Sequence, residues 1–284
     1  MGHKNTSLTI GPPRARRLTL AGLLVLILSA SASAQTGAVS PAKEARADNE
    51  YQTGAVIWTQ SAAEARALRY QAFAFARLAF DRDLRVNRRL ARKRAVVVDV
   101  DETVLDNSPY QAELILKSQP YTEASWNTWC ERAEAGAIPG AVDFLRHAAS
   151  RGASIFYVTN RRQEVKGATI RNLKQKGFPD VSERTVLVRA GVSTKEPRRR
   201  QIRERYRIVL LVGDNLADFS DIFEGKATEA RGAAVDASRD KFGAQFIMLP
   251  NPMYGDWEGA VYGYDFKLSE EEKAARRKAA LKSP

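Results

Sequence analysis

Hydrophobic positions along this chain follow two rhythms. Between Gly54 and Phe80 the apolar residues Ala65, Leu68, Ala72, Phe75 and Ala79 recur at spacings of three and four, which predicts an amphipathic helix with one buried face. Trp58 and Tyr70 are expected to add packing bulk to it. The rhythm then changes. Ala95 to Val98 is a short unbroken apolar run that stops at Asp99, the pattern of a strand buried on both faces. Further strands are predicted at Ser154 to Val158, Thr185 to Val188, Ile208 to Val212 and Phe246 to Leu249.

Helical patterns separate these strands. Residues 110–135 read as mostly helical, Pro139 and Gly140 open a helix through Phe144 to His147, and a helix from about Glu164 to Lys176 stops at Gly177, a residue suited to the left-handed turn that ends helices. Strands alternating with helices predict an α/β fold, a doubly wound parallel sheet with helices on both faces. Sixty residues separate Asp99 from Thr159, more than one βα connection needs. The excess, with residues 52–90, predicts a smaller helical cap region built from about 52–90 and 108–138. Residues 267–284 read as a charged C-terminal helix, with Ser269 and Glu272 spaced as a capping box.

Composition adds an address. Lys4, Arg14, Arg16 and Arg17 precede the apolar stretch Leu18 to Leu28, and Ala32-Ser33-Ala34 then offers small residues before Gln35. This is the pattern of a secretory signal peptide over 1–34, too short in its apolar part to span a bilayer. Residues 35–50, small and polar, are expected to form a flexible mature terminus, with the folded domain over 51–266. Export to the periplasm or medium as a soluble protein follows. The single cysteine, Cys130, excludes an intrachain disulfide and is expected to be a buried, inert thiol.

Net charge is +12, and removing the four basic leader residues lowers it to +8. Basic residues cluster at Arg88 to Arg94 and Arg198 to Arg200. The clusters lack interleaved aromatics, so they are read as solvated surface that steers anions inward, and no nucleic-acid partner is expected.

Three strands each run into polar residues suited to one reaction. The first delivers Asp99 and Asp101, the second Thr159 and Asn160, the third Asp214 and then Asp218, while Lys195 sits in a polar loop. Buried carboxylates need a partner or a metal, and ligands of such sheets bind beyond the carboxyl ends of the strands. A lone D-x-D could equally be a simple cation site or a helix cap; the joint pattern favours phosphoryl transfer. In that reading Mg²⁺ takes Asp99 and Asp214 directly, with the backbone carbonyl of Asp101, while Asp218 holds a metal-bound water or supports the ligands. Thr159 and Lys195, with Asn160 beside them, donate to phosphoryl oxygens. Asp99 is the nucleophile and Asp101 the acid/base, and a protonated Asp101 implies an acidic optimum.

DVDETVLDNSPY at 99–110, FYVTNR at 156–161, STK at 193–195 and VGDNLADF at 212–219 resemble the four motifs of the haloacid dehalogenase superfamily. More closely, with WTQSAAEARALRYQAF and LPNPMYGDWEGA, the chain resembles the class C nonspecific acid phosphatases, a group that includes 5′-nucleotidase lipoproteins. The resemblance implies a Mg²⁺-dependent acid phosphatase acting on small phosphomonoesters, nucleoside 5′-monophosphates included, by way of an aspartyl-phosphate. It implies the same roles for the aspartates, Thr159 and Lys195. It also places Trp126 and Tyr254 where aromatics flank the leaving group, although either ring also suits a core. A homodimer is suggested by this likeness alone. No cysteine follows the leader, so no lipid anchor is expected. Two alternatives remain open at this point: a phosphotransferase using the same intermediate, and a non-catalytic storage or ligand-binding protein on the same scaffold.

Overall fold

Strand β1 (Arg94–Val98) is the centre of the molecule because both of its faces are buried. Successive side chains of a strand point to opposite faces, and β1 obeys this strictly. Val96 and Val98 enter one hydrophobic core, while Ala95 and Val97 enter a second. Each valine so buried contributes about 1.5–3 kcal/mol.

The computed structural model describes residues 49–89 and 91–284. The signal-peptide expectation for 1–34 and nearly all of the 35–50 terminus lie outside the described residues. The described chain begins with α1 (Thr53–Ser61) and α2 (Ala63–Val86), and after β1 come β2 (Leu105–Asp106), α3 (Ser108–Leu116), α4 (Glu123–Arg132), β3 (Gly136–Ala137) and α5 (Ala141–Ser150). Next are β4 (Ser154–Arg162), α6 (Lys166–Gln175), β5 (Val186–Arg189), α7 (Glu196–Arg205), β6 (Arg207–Gly213), α8 (Thr228–Ala237), β7 (Phe246–Met248), α9 (Asp256–Val261) and α10 (Glu270–Ala279). Five strands form one parallel sheet in the order β5-β4-β1-β6-β7. β2 and β3 form a separate antiparallel pair. Helices α2, α5 and α6 contribute to the first core and α7 and α8 to the second, so the sheet is covered on both sides as the alternation predicts. Among the described residues, no helix is long and apolar enough to cross a membrane.

Several local expectations change. The helix predicted across Gly54 to Phe80 is two helices, broken at Ala62, whose backbone is extended (ψ 125°). The buried face of α2 is Ala65, Arg69, Ala72, Phe73, Ala76 and Phe80; Leu68 and Phe75, expected inside, are 41% and 47% exposed, and Tyr70 is exposed as well. The basic run at 198–200 is not simply solvated: Arg199 is fully buried. Cys130 is buried, and burial pushes its thiol up to about 12. Helix α10 carries the anticipated capping box, Ser269 accepting from the Glu272 amide at 3.2 Å.

One polar clamp fixes the bottom of the sheet. Asp83, at the end of α2, accepts from Arg94 at 2.8 Å and Arg207 at 2.5 Å, the first residues of β1 and β6. It ties helix, central strand and neighbour together at one point.

Candidate active site

The amide of Asp99 donates to the Val212 carbonyl at 2.9 Å, so the β1–β6 ladder runs one residue beyond Val98 and fixes the Asp99 backbone. The amides of Thr103, Val104 and Leu105 then converge on the Val100 carbonyl at 3.2, 2.9 and 2.9 Å, folding the chain sharply after the strand. β6 ends at Gly213 and presents Asp214 beside this turn. A side chain on Gly213 would collide with the Asp218 carboxyl group, so the residue has to be glycine for Asp218 to reach back over the strand end.

Carboxylate oxygens of Asp99, Asp214 and Asp218 lie within 4.8 Å of one another. The ammonium of Lys195, at the start of α7, stands between two of them, 2.5 Å from Asp99 Oδ1 and 2.6 Å from Asp218 Oδ1. Asp214 and Asp218 are held by further donors. Thr103 Oγ1 donates to Asp214 at 2.8 Å and Asn251 Nδ2 at 2.9 Å, and the Asn215 amide donates to Asp218 at 3.0 Å.

Burial and the neighbouring carboxylates raise Asp99 well above the usual carboxylate range despite Lys195. Burial, with the charge of Asp218, pushes Asp214 up to about 7. For Lys195 burial acts downward, but the charges of Asp218 and Asp99 outweigh it and hold the ammonium above its ordinary value. Ionising all three carboxylates beside one ammonium would leave two negative charges in a nearly dry pocket, which is why burial resists it. An oxygen-preferring divalent cation answers both that charge and that donor set, so the residues present fit one.

Asp101 is handled differently. Its carboxylate lies outside this cluster and is taken up by Arg161, whose Nη2 donates at 2.7 Å and whose Nε donates to both oxygens at 3.1 and 3.0 Å. Asn107 Nδ2 donates to it at 2.9 Å. Asn107 is itself locked, accepting from Trp129 Nε1 at 2.9 Å and donating to Glu102. Glu102 accepts from Tyr254 Oη at 2.6 Å; burial pushes this carboxyl up to about 8.

The remaining predicted residues can now be placed. Thr159 is buried; its Oγ1 accepts from the Arg161 amide at 3.1 Å and reaches Asp101 at a long 3.5 Å. Asn160 is exposed, its Oδ1 accepting from Arg198 at 2.8 Å. Trp126 packs edge-on against Tyr110, with ring centroids 5.2 Å apart, and the Arg161 guanidinium lies 5.5 Å from its ring centre. Tyr254 joins the Asp101 network through Glu102 rather than through the carboxylate cluster.

Sequence reasoning assigned no role to Arg161, Glu102, Thr103, Asn251 or Arg199. Arg199 donates to the carbonyls of Ala217 at 2.8 Å and Asp218 at 2.9 Å, holding the turn that carries Asp218. Asn251 had a legible signal, a polar residue just past a strand end like Asp99, Thr159 and Asp214.

A solved structure of the class C acid phosphatase from Bacillus anthracis with tungstate bound matches at a TM-score of 0.80 and 42% identity, covering 83% of this chain and 98% of that one. A second structure of the class C acid phosphatase from Bacillus anthracis gives the same values. Acid phosphatase 1 of Solanum lycopersicum is 25% identical over 166 residues, 56% of this chain and 57% of that protein. The stem 31 kDa glycoprotein of Glycine max is 24% identical over 164 residues, 56% of this chain and 58% of that protein. The chain therefore spans little more than half the length of these two relatives. The family described as HAD superfamily, subfamily IIIB (acid phosphatase) matches residues 18–257, a span that holds the three-carboxylate cluster, Lys195 and the whole Asp101 network. On that match, and on the fold shared with the Bacillus anthracis enzyme, the chain belongs to the subfamily IIIB acid phosphatases of the HAD superfamily.

Proposed function

We propose that the protein hydrolyses small phosphomonoesters, nucleoside 5′-monophosphates among them, with Mg²⁺ as its resident ion. The carrying observation is the buried cluster of Asp99, Asp214 and Asp218 around Lys195 at the carboxyl end of the sheet. Those three carboxylates, with the backbone carbonyl of Asp101, would hold the ion. Bound there, it would offset phosphoryl charge that repels an anionic nucleophile.

In this reading Asp99 attacks phosphorus, the P–O ester bond breaks, and the phosphoryl group rests on the Asp99 carboxylate. Asp101 gives its proton to the departing oxygen. Water then attacks phosphorus, Asp101 takes the proton back, and inorganic phosphate leaves a regenerated Asp99. Such a positioned acid/base is worth about 10²- to 10⁴-fold in rate. Thr159, Asn160 and Lys195 are the donors toward phosphoryl oxygens. Trp126 and Tyr254 flank the leaving group, whose identity a π-face tolerates. Tungstate in the Bacillus anthracis relative is a tetrahedral oxyanion like phosphate, which supports the assignment. Export belongs to the same proposal and rests on the leader pattern of residues 1–34.

The test is turnover of p-nitrophenyl phosphate and a nucleoside monophosphate panel, with and without EDTA, in wild type and Asp99→Asn. Activity should vanish with EDTA, return with Mg²⁺ and be absent from the variant. Metal-independent turnover that survives Asp99→Asn ends the proposal.

A further inference from the structure

We propose that the protein carries a second anion site, at the amino-terminal end of the sheet, built for a phosphate group attached to a small apolar body. A cavity of about 260 Å³ opens there, with Arg92, Arg203 and Arg207 on its wall. Arg207 is the first residue of β6 and Asp214 follows the last, so roughly 20 Å of strand separate this cavity from the carboxylate cluster. It is no extension of that site.

Charge is in surplus. Glu196 is shared between Arg199 at 3.0 Å and Arg203 at 2.6 Å, and Asp83 between Arg94 at 2.8 Å and Arg207 at 2.5 Å. Each carboxylate answers two guanidiniums, so each group keeps one positive charge. Arg92 adds another, with no ion pair of its own among the described residues. Among the described residues no carboxylate lines the cavity.

The rest of the wall sets the ligand's character. Tyr206, Ile208 and Leu211 give an apolar side, and the Tyr206 ring is fixed edge-on to Phe156 with centroids 5.0 Å apart. Gln245 offers an amide at the rim. Several guanidinium forks suit the clustered oxygens of a phosphate. The volume lies below the roughly 300 Å³ at which pockets for drug-sized ligands begin, so the apolar body is small. A free aryl or alkyl phosphate has this chemistry, and so does the headgroup region of an anionic phospholipid.

Calorimetric titration of the full chain with phenylphosphonate, which is not hydrolysed, tests the proposal. Wild type should bind two equivalents. Arg92→Gln with Arg203→Gln, and separately the charge-neutral filling variant Gln245→Trp, should each bind one. Both should turn over p-nitrophenyl phosphate with kcat/KM within twofold of wild type. Co-sedimentation with phosphatidylglycerol but not phosphatidylcholine vesicles, abolished by the same variants, assigns the headgroup; two equivalents without sedimentation assign a free ligand. A single equivalent in wild type, or two that persist in both variants, overturns the site.

Discussion

Arg161 and Asp101, sixty residues apart, form a forked ion pair in which the guanidinium is almost wholly buried and reaches both carboxylate oxygens. The same guanidinium donates to Asn107 at 3.2 Å and to Thr169 at 3.2 Å. Asp101 is thus positioned by a group outside the carboxylate cluster. Arg161→Lys keeps the charge but loses the fork, and misplacement of a reacting group by about 1 Å can cost about 10²-fold. Steady-state kinetics should show kcat reduced to that extent with KM changed far less, and a thermal melt should show the fold retained.

Metal binding should be visible without turnover. The converging carboxylates of Asp99, Asp214 and Asp218 make the folded chain a better ligand for Mg²⁺ than the unfolded one. At a concentration 100 times Kd the stabilisation is about 2.7 kcal/mol. Differential scanning fluorimetry should show Tm rising with Mg²⁺ in wild type, and the rise should disappear in Asp214→Asn.

Gly213→Ala should separate the site from the fold. The added methyl group meets the Asp218 side chain, which Lys195 and the Asn215 amide hold from the other side. Asp218 has to move, so turnover should fall by at least tenfold. Circular dichroism should remain that of the wild type.

Asp83 gives a pH dependence of stability. Burial alone would raise its carboxyl, but hydrogen bonds from Arg207, Arg94 and Asn87 outweigh burial and hold it below its ordinary 3.8. A carboxyl depressed in the folded chain adds stability above the unfolded value and loses it as pH falls through the folded one. Asp83→Asn should therefore cost about 1.5–3 kcal/mol at pH 7. In urea denaturation the gap from wild type should stay constant down to about pH 4 and shrink below it.

The strands were legible because their signal is local. AVVV before Asp99 and IVLLV before Gly213 are unbroken apolar runs that end in a turn and an acid, and such runs suit few structures other than a doubly covered strand. Helix α2 was harder to read. Its apolar residues trace two stripes, and the one that carries Ala65, Ala72, Phe73, Ala76 and Phe80 faces inward while Leu68, Phe75 and Leu78 are left out. Helix α7 (EPRRRQIRER) shows no apolar periodicity, since Ile202 and the buried Arg199 are its contribution to the interior. A buried arginine held by Glu196 and by the carbonyls of Ala217 and Asp218 leaves no trace in hydropathy. The Arg161 clamp was silent for another reason: its partners at Asp101 and Asn107 are sixty and fifty-four positions away.

The rung between the Asp99 amide and the Val212 carbonyl makes the backbone of the proposed nucleophile part of the sheet, while Trp126 belongs to α4 in the excursion between β1 and β4. In the proposed reaction, bond-making and ligand choice would thus be carried by separate pieces of architecture. Replacements along the outer wall can retune which esters are favoured, over many generations, without disturbing the anvil on which phosphorus is struck.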